Sequence, residues 1–274
     1  MTEPQPLIPS DEPPVHTPPT TLPDSAGQSS VVASDTTPEP APLPAEPAPP
    51  AGVDAATVTL EDVQANEELS RFIASADRVM DAMGFTEHGF RHANLVARIA
   101  FQVLSRLGYG ERDATLACVA GYLHDVGNAL ARDAHGQTGA ILVHHALHDT
   151  VAPADLMPII AAIANHEETE GTAVSPISAA VILADKSDVH RSRVRTTGQI
   201  DLDIHDRVNY AVEQSFLRVD SGARTVSLEL TIDTGISQVM EYFEIFLGRM
   251  QLCRVAAERL EARFRLVVNG AELA

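Results

Sequence analysis

Lysine is almost absent from this chain. Lys186 is the only one in 274 residues, and no basic residue of either kind precedes Arg71. Cysteine is nearly as scarce, with two. Cys118 and Cys253 stand in helical patterns among apolar neighbours, so they read as buried reduced thiols rather than a disulfide framework. No uninterrupted apolar run approaches the length of a membrane span. The N-terminal stretch lacks the basic and apolar regions of a secretory signal, and it is too acidic for a transit peptide. These absences predict a cytoplasmic protein with no membrane partner. The formal net charge of −19 argues against a general nucleic-acid-binding surface, because neutralising phosphates needs clustered cations.

Fifteen of the 18 prolines fall within residues 1–50, and eight acidic residues fall within 1–56. Large apolar side chains are too few there to offset the ordering entropy, which predicts a disordered acidic tail over 1–56. Removing those eight acids leaves 30 acidic against 19 basic residues, or −11, for the remainder. That remainder suits one domain with an appended element.

From Glu67 onward the apolar residues recur at helical spacing. Leu69, Phe72, Ile73, Ala76 and Met83 define one face, stopped by Gly84; Leu95, Val96, Ile99, Val103 and Leu107 define the next, stopped by Gly108. Further helices are expected over about 112–126, 136–148, 154–166, 176–189 and 203–214. Ser175-Pro176 marks a helix start, with Ser175 as cap and Pro176 in the first turn. Beyond Gln214 the period changes to two: Val226, Leu228, Leu230 and Ile232 alternate with Ser227, Glu229 and Thr231, the pattern of a half-buried strand. Asp220-Ser221-Gly222 joins it to a strand at 215–219, a long helix covers about 235–261, and Phe264 to Val268 forms a last strand. The expected fold is mainly α: a helical domain over 57–212, then a small C-terminal β-α-β annex over 213–274 with two to three strands and a long helix.

The chemistry concentrates in Gly121-Tyr122-Leu123-His124-Asp125-Val126-Gly127-Asn128. An imidazole and a carboxylate stand side by side at the end of an apolar helix, where an unpaired buried charge is costly and a metal ion would need both. His92 lies one turn before Val96 on the inner face of its helix, with His88 four residues earlier as a substitute or supporting group. Asp185 stands late in an apolar helix, where its charge opposes the helix dipole unless a cation faces it.

His, then His-Asp, then a distant Asp resembles the HD superfamily of metal-dependent phosphohydrolases, from about His88 to Asp188. The resemblance implies an HD-type helical bundle with His92, His124, Asp125 and Asp185 as metal core. Some members bind a second metal through intervening histidines, which implies His135 and His166 here; His144, His145 and His148 read as a polar helix face. The chain departs from the branch that cleaves cyclic di-guanylate: Asn128 stands where that branch usually has Lys, and its Gly-Tyr-Pro motif is missing.

Imidazole and carboxylate ligands without thiolate suit one or two six-coordinate Mn, Fe, Co, Ni or Mg ions better than structural zinc. Such an ion lowers the pKa of a bound water and disperses phosphate charge, with Asp125 and Asp185 fixing the water. Lys186 with Arg191 and Arg195 supplies the cations expected to hold substrate phosphate oxygens, with Arg91 and Arg132, which flank ligand segments, as secondary candidates. The expected activity is hydrolysis of a phosphate ester of a small molecule such as a nucleotide. Two alternatives stand beside it: an HD-related di-iron oxygenase with the same ligands, and a non-catalytic metal-stabilised signalling module. The annex, with Met240, Phe243, Ile245, Phe246 and Leu247 dense on one helix, reads as core packing or a homodimer surface.

Overall fold

A computed structural model of the chain describes residues 57–169, 171–195 and 203–273. The tail expected over 1–56 lies outside the described residues.

The helical body comprises α1 (Leu60–Gln64), α2 (Glu67–Ala82), α3 (Phe90–Leu107), α4 (Glu111–Leu123), α5 (His135–Leu147), α6 (Pro153–Ala164), α7 (Pro176–Lys186) and α8 (Ile204–Ala211). Two of these helices are buried nearly all round, as uninterrupted apolar sequence requires. On α4 every residue from Leu116 to Leu123 is buried, and on α7 every residue from Ile177 to Ala184. Around them pack α3, α6 and the long helix α9 (Val239–Arg259). The start of α7 follows the sequence reading: Ser175 accepts from the Ser178 amide, and Pro176 occupies the first turn.

The C-terminal sheet has the order β1 (Val212–Asp220), β2 (Thr225–Ile232), β3 (Arg263–Val268), β4 (Ala271–Glu272). β1 and β2 form an antiparallel hairpin; β2 and β3 are parallel, which demands the crossover that α9 provides. The two-residue β4 returns antiparallel along β3. Mainly α with a small α+β element is thus the observed class. Two details differ from the sequence reading. Helix α8 stops at Ala211 rather than near 214, because Val212 and Gln214 already pair with Ile232 and Thr231. On β2 the alternation predicts Ser227 in water, yet Ser227 and Thr225 are buried along with the apolar residues. Side chains of the flanking β1 and β3 shelter the small Ser227 and Thr225 on this central strand.

A third difference bears on function. Helix α4 ends at Leu123 instead of running to Val126; Asp125 has φ −98° and ψ 2°, and a 3₁₀ turn follows over Val126–Ala129. His124 and Asp125 therefore do not project as neighbours on one continuous helix. Close backbone approach explains the break. A Cβ added to Gly127 would stand 1.9 Å from the His135 carbonyl oxygen and 2.6 Å from the Gly139 nitrogen. A Cβ on Gly136 would meet the Ile163 carbonyl at 3.0 Å. These contacts bring the Asp125, His135 and His166 segments together. Gly127→Ala is therefore expected to cost about 2–3 kcal/mol through overpacking. In a domain of this size that lowers Tm by about 4–12 °C, readable by thermal unfolding; an unchanged Tm would refute the close approach.

Candidate metal centre

Four imidazoles and two carboxylates meet between the helices. His92 comes from the first turn of α3, His124 from the end of α4, Asp125 from the turn after it and Asp185 from the last turn of α7. His92 Nε2 lies 3.2 Å from His124 Nε2, 3.5 Å from Asp125 Oδ2 and 3.3 Å from Asp185 Oδ1. His124 Nε2 lies 3.3 Å and 3.6 Å from the same two oxygens. On the other side of Asp125, His135 Nε2 is 3.0 Å from His166 Nε2, and the two stand 3.4 Å and 3.9 Å from Asp125 Oδ1. Asp125 thus presents one oxygen to each pair. Three overlapping ligand groups result: His92–His124–Asp125, His124–His166–Asp185 and Asp125–His135–His166.

The outward nitrogen of each ring is committed. His124 donates from Nδ1 to the Gly121 carbonyl (2.8 Å), His135 to Arg132 (2.9 Å) and His166 to Ile163 (2.7 Å). His92 donates to the Asp188 carboxylate at 2.7 Å. Carbonyls only accept, so Nδ1 carries the proton, and each neutral ring turns an Nε2 lone pair inward. Lone pairs facing each other at 3.0–3.2 Å require a cation between them. This donor set fits one or two divalent ions.

The charges agree. Burial opposes a positive His124, but the carboxylates of Asp125 and Asp185 outweigh it and lift its pKa to about 10. Burial also opposes the charged Asp125 and Asp185, yet His124 beside Asp125, and Lys186 and His124 beside Asp185, hold both well below the ordinary carboxylate range. His166 is pushed well below its usual value by burial, then by His124 and His135. His88 stands apart from the ligand groups. Its Nδ1 is 2.6 Å from the Thr86 carbonyl, its ring sits edge-on 5.7 Å from His92, and burial and Arg193 keep its pKa low. His144, His145 and His148 are exposed and stack on one another.

The three cations expected to meet substrate are held by acidic partners. Lys186 is buried, with Nζ 2.6 Å from Glu168 Oε2, 2.9 Å from Asp185 Oδ2 and 3.8 Å from Glu167 Oε2. Arg191 pairs with Glu213 at 3.1 Å. Arg195 pairs with Asp77 at 2.5 Å and Asp81 at 3.3 Å. An acidic surface supplies such partners readily. A different cation reaches the cluster: Arg132, half-buried, lies 3.4 Å from both His135 Nε2 and Glu167 Oε2. It lines a cavity of about 230 Å³ with His135, Gly136, Glu167 and Thr169.

Several supporting groups carried no assigned role in the sequence reading. Asp188 holds His92 and is itself held by Arg91 (2.8 Å) and Arg193 (3.7 Å); its i+3 spacing from Asp185 was the available signal. Buried Asn128, in the place usually occupied by Lys in one HD branch, donates to Asp125 Oδ1 at 2.8 Å. Glu167 stands 3.3 Å from His135 Nε2, and burial raises its pKa. From α9, Arg249 reaches Glu168 at 3.1 Å, a contact that no local sequence pattern signals.

Residues 89–211 match the family model of the HD domain. This part of the chain belongs to the HD-domain superfamily, whose members are generally metal-dependent phosphohydrolases. No curated protein matches the chain. Among the described residues, no helix is long and apolar enough to cross a membrane.

The Asp188 contact makes a prediction. Asp188→Asn keeps the shape but weakens the anchor of His92, and losing such a group outside the ligand set typically lowers metal affinity about 10- to 100-fold. Metal titration with a competing chelator reads the change; an affinity equal to wild type would show that Asp188 has no hold on the centre.

Proposed function

We propose that this protein is a metal-dependent phosphohydrolase acting on a phosphate ester of a small molecule such as a nucleotide. His92, His124, Asp125 and Asp185 would hold one divalent ion, and His135, His166 and Asp125 would hold a second. The observation that carries the reading is the double cluster with Asp125 common to both halves, beside a cavity lined by its His135 together with Arg132 and Glu167. When bound, a divalent ion supplies Lewis acidity and lowers the pKa of a coordinated water.

The protein's own groups do the rest. Arg132 offers a guanidinium fork to a phosphate oxygen at the cavity wall. Asp125 and Asp185 orient the attacking water, each steadied from behind: Asn128 on Asp125 Oδ1, Lys186 on Asp185 Oδ2. Glu167, 3.3 Å from His135 Nε2 and lining the same cavity, is the carboxylate placed to move a proton to or from the substrate. In this reading Lys186 serves as a positioning group rather than a substrate contact, and Arg191 and Arg195 brace the fold.

The decisive experiment quantifies bound metals and screens phosphomonoesters and nucleotides with Mn, Co, Ni or Mg. Asp125→Asn is expected to lose both metals and about a thousandfold or more in kcat/KM. Arg132→Ala is expected to keep its metals while KM rises about 10- to 100-fold, because hydrogen bonds to charged groups contribute ~1.5–3 kcal/mol. Full activity in His124→Ala would refute the assignment. So would a metal-loaded protein silent on every phosphate, with tightly held iron and an O2-sensitive spectrum; that result would make it an oxygenase.

A further inference from the structure

A second concave site shares no lining residue with the metal cavity. It is a groove of about 400 Å³ between α3 and β1. From α3 it takes Arg91, Leu95, Arg98, Ile99, Gln102, Val103 and Arg106, one stripe at helical spacing. From β1 it takes five consecutive residues, Ser215 to Val219. Side chains of a strand alternate between its faces, so consecutive residues can line one groove only when the groove runs along the strand's edge. That edge is open, since β1 is the first strand of the sheet and pairs with β2 alone among the described strands.

The groove is also basic within an acidic protein. Arg91 and Arg218 are engaged, by Asp188 and Glu87 and by Glu229 respectively. Arg98 and Arg106 are exposed and have no hydrogen-bond or ion-pair partner among the described residues. In a chain of net charge −19, unpaired arginines eight residues apart on one helix are conspicuous. They stand about 12 Å apart along the helix axis. Residues i and i+4 of an extended strand, which share a face, are about 13 Å apart. Beside the arginines the floor is largely apolar: Leu95, Ile99 and Val103 from α3 with Leu217 and Val219 from β1, and Phe216 half exposed beside them.

We propose that this groove binds an extended acidic peptide of a partner protein, which adds as a strand to the free edge of β1. Main-chain hydrogen bonds to β1 hold its backbone, alternate apolar side chains meet the floor, and carboxylates pair with Arg98 and Arg106. A small organic anion would use the charge and the floor but leave the edge unused, so the edge geometry favours the peptide.

The test titrates the full chain with fluorescein-labelled acetyl-Val-Glu-Val-Asp-Val-Glu-Val-Asp-amide and follows anisotropy. Saturable binding is expected, weakened at least about tenfold by Arg98→Glu with Arg106→Glu. Both positions are exposed, so thermal unfolding should match wild type. A peptide with Lys in place of each acid should bind that double variant better than wild type. Methylating alternate backbone nitrogens should abolish binding to wild type, since a methylated nitrogen cannot donate to the edge. The proposal is overturned by no saturation up to about 1 mM, by equal binding of the methylated peptide, or by indifference to the arginine substitutions. Displacement of the peptide by an equal concentration of ADP would overturn it as well and give the groove to a small anion.

Discussion

Two pairs of imidazole nitrogens face each other at 3.0 and 3.2 Å, and the proton that each ring owns when neutral is directed outward. Three of those protons go to backbone carbonyls three residues earlier in the chain. The alternative tautomer would leave a buried carbonyl unpaired, at a cost of about 1–3 kcal/mol each. The backbone therefore fixes where the lone pairs point, and the lone pairs demand positive charge. In the protein alone a proton on His124 answers that demand for its own pair, and the carboxylates of Asp125 and Asp185 hold it there, lifting the His124 pKa to about 10 despite burial. A divalent ion meets it more fully, because it can face several donors at once while a proton bonds one or two.

The same demand accounts for the ion-pair chain behind Asp185. Its second oxygen meets Lys186, Lys186 meets Glu168, and Glu168 meets Arg249 on α9. Burying a lysine and a glutamate gains little stability by itself, since desolvation offsets most of the attraction. What the chain accomplishes is placement: each charge is held by the next, and the last lies on the crossover helix of the annex. The C-terminal element thereby supports the centre from the far side of α7, a role distinct from packing.

The residues that gather at the candidate centre stand out in the sequence because they break a local rule. His92 and Asp185 put polar groups on helix faces that are otherwise apolar, and His124-Asp125 puts two such groups together. Their supports were much less legible, because a sequence shows which face a residue occupies but not what lies opposite. His92 meets Asp188 across 96 positions, and Arg195 meets Asp77 across 118. The same blindness explains the cations. Arg191 and Arg195 look available when counted along the chain, yet in space they pair with Glu213, Asp77 and Asp81, outside the cluster, whereas Arg132 lies at it, beside His135, Glu167 and Asn128. The end of α4 was hidden for a related reason: the period continues through Val126, and only the backbone contact at Gly127 stops the helix.

Local charge balance reconciles a protein of net charge −19 with the anionic substrate proposed for it. Around the centre, the carboxylates of Asp125, Asp185, Glu167, Glu168 and Asp188 are matched by Lys186, Arg249, Arg132, Arg91 and Arg193. That inventory is near neutral before any ion is present. Divalent ions held by the histidines and Asp125 would make it clearly positive at close range, whatever the distant surface carries, because exposed charges beyond about 10 Å are largely screened. A free lysine or arginine cluster is then unnecessary for phosphate, which is consistent with a chain that keeps its single lysine as a buried brace. The groove between α3 and β1 is the contrasting case. No candidate metal group among the described residues includes its lining, so any anion it takes must rely on arginine, and of its four arginines Arg98 and Arg106 have no ion-pair or hydrogen-bond partner among the described residues.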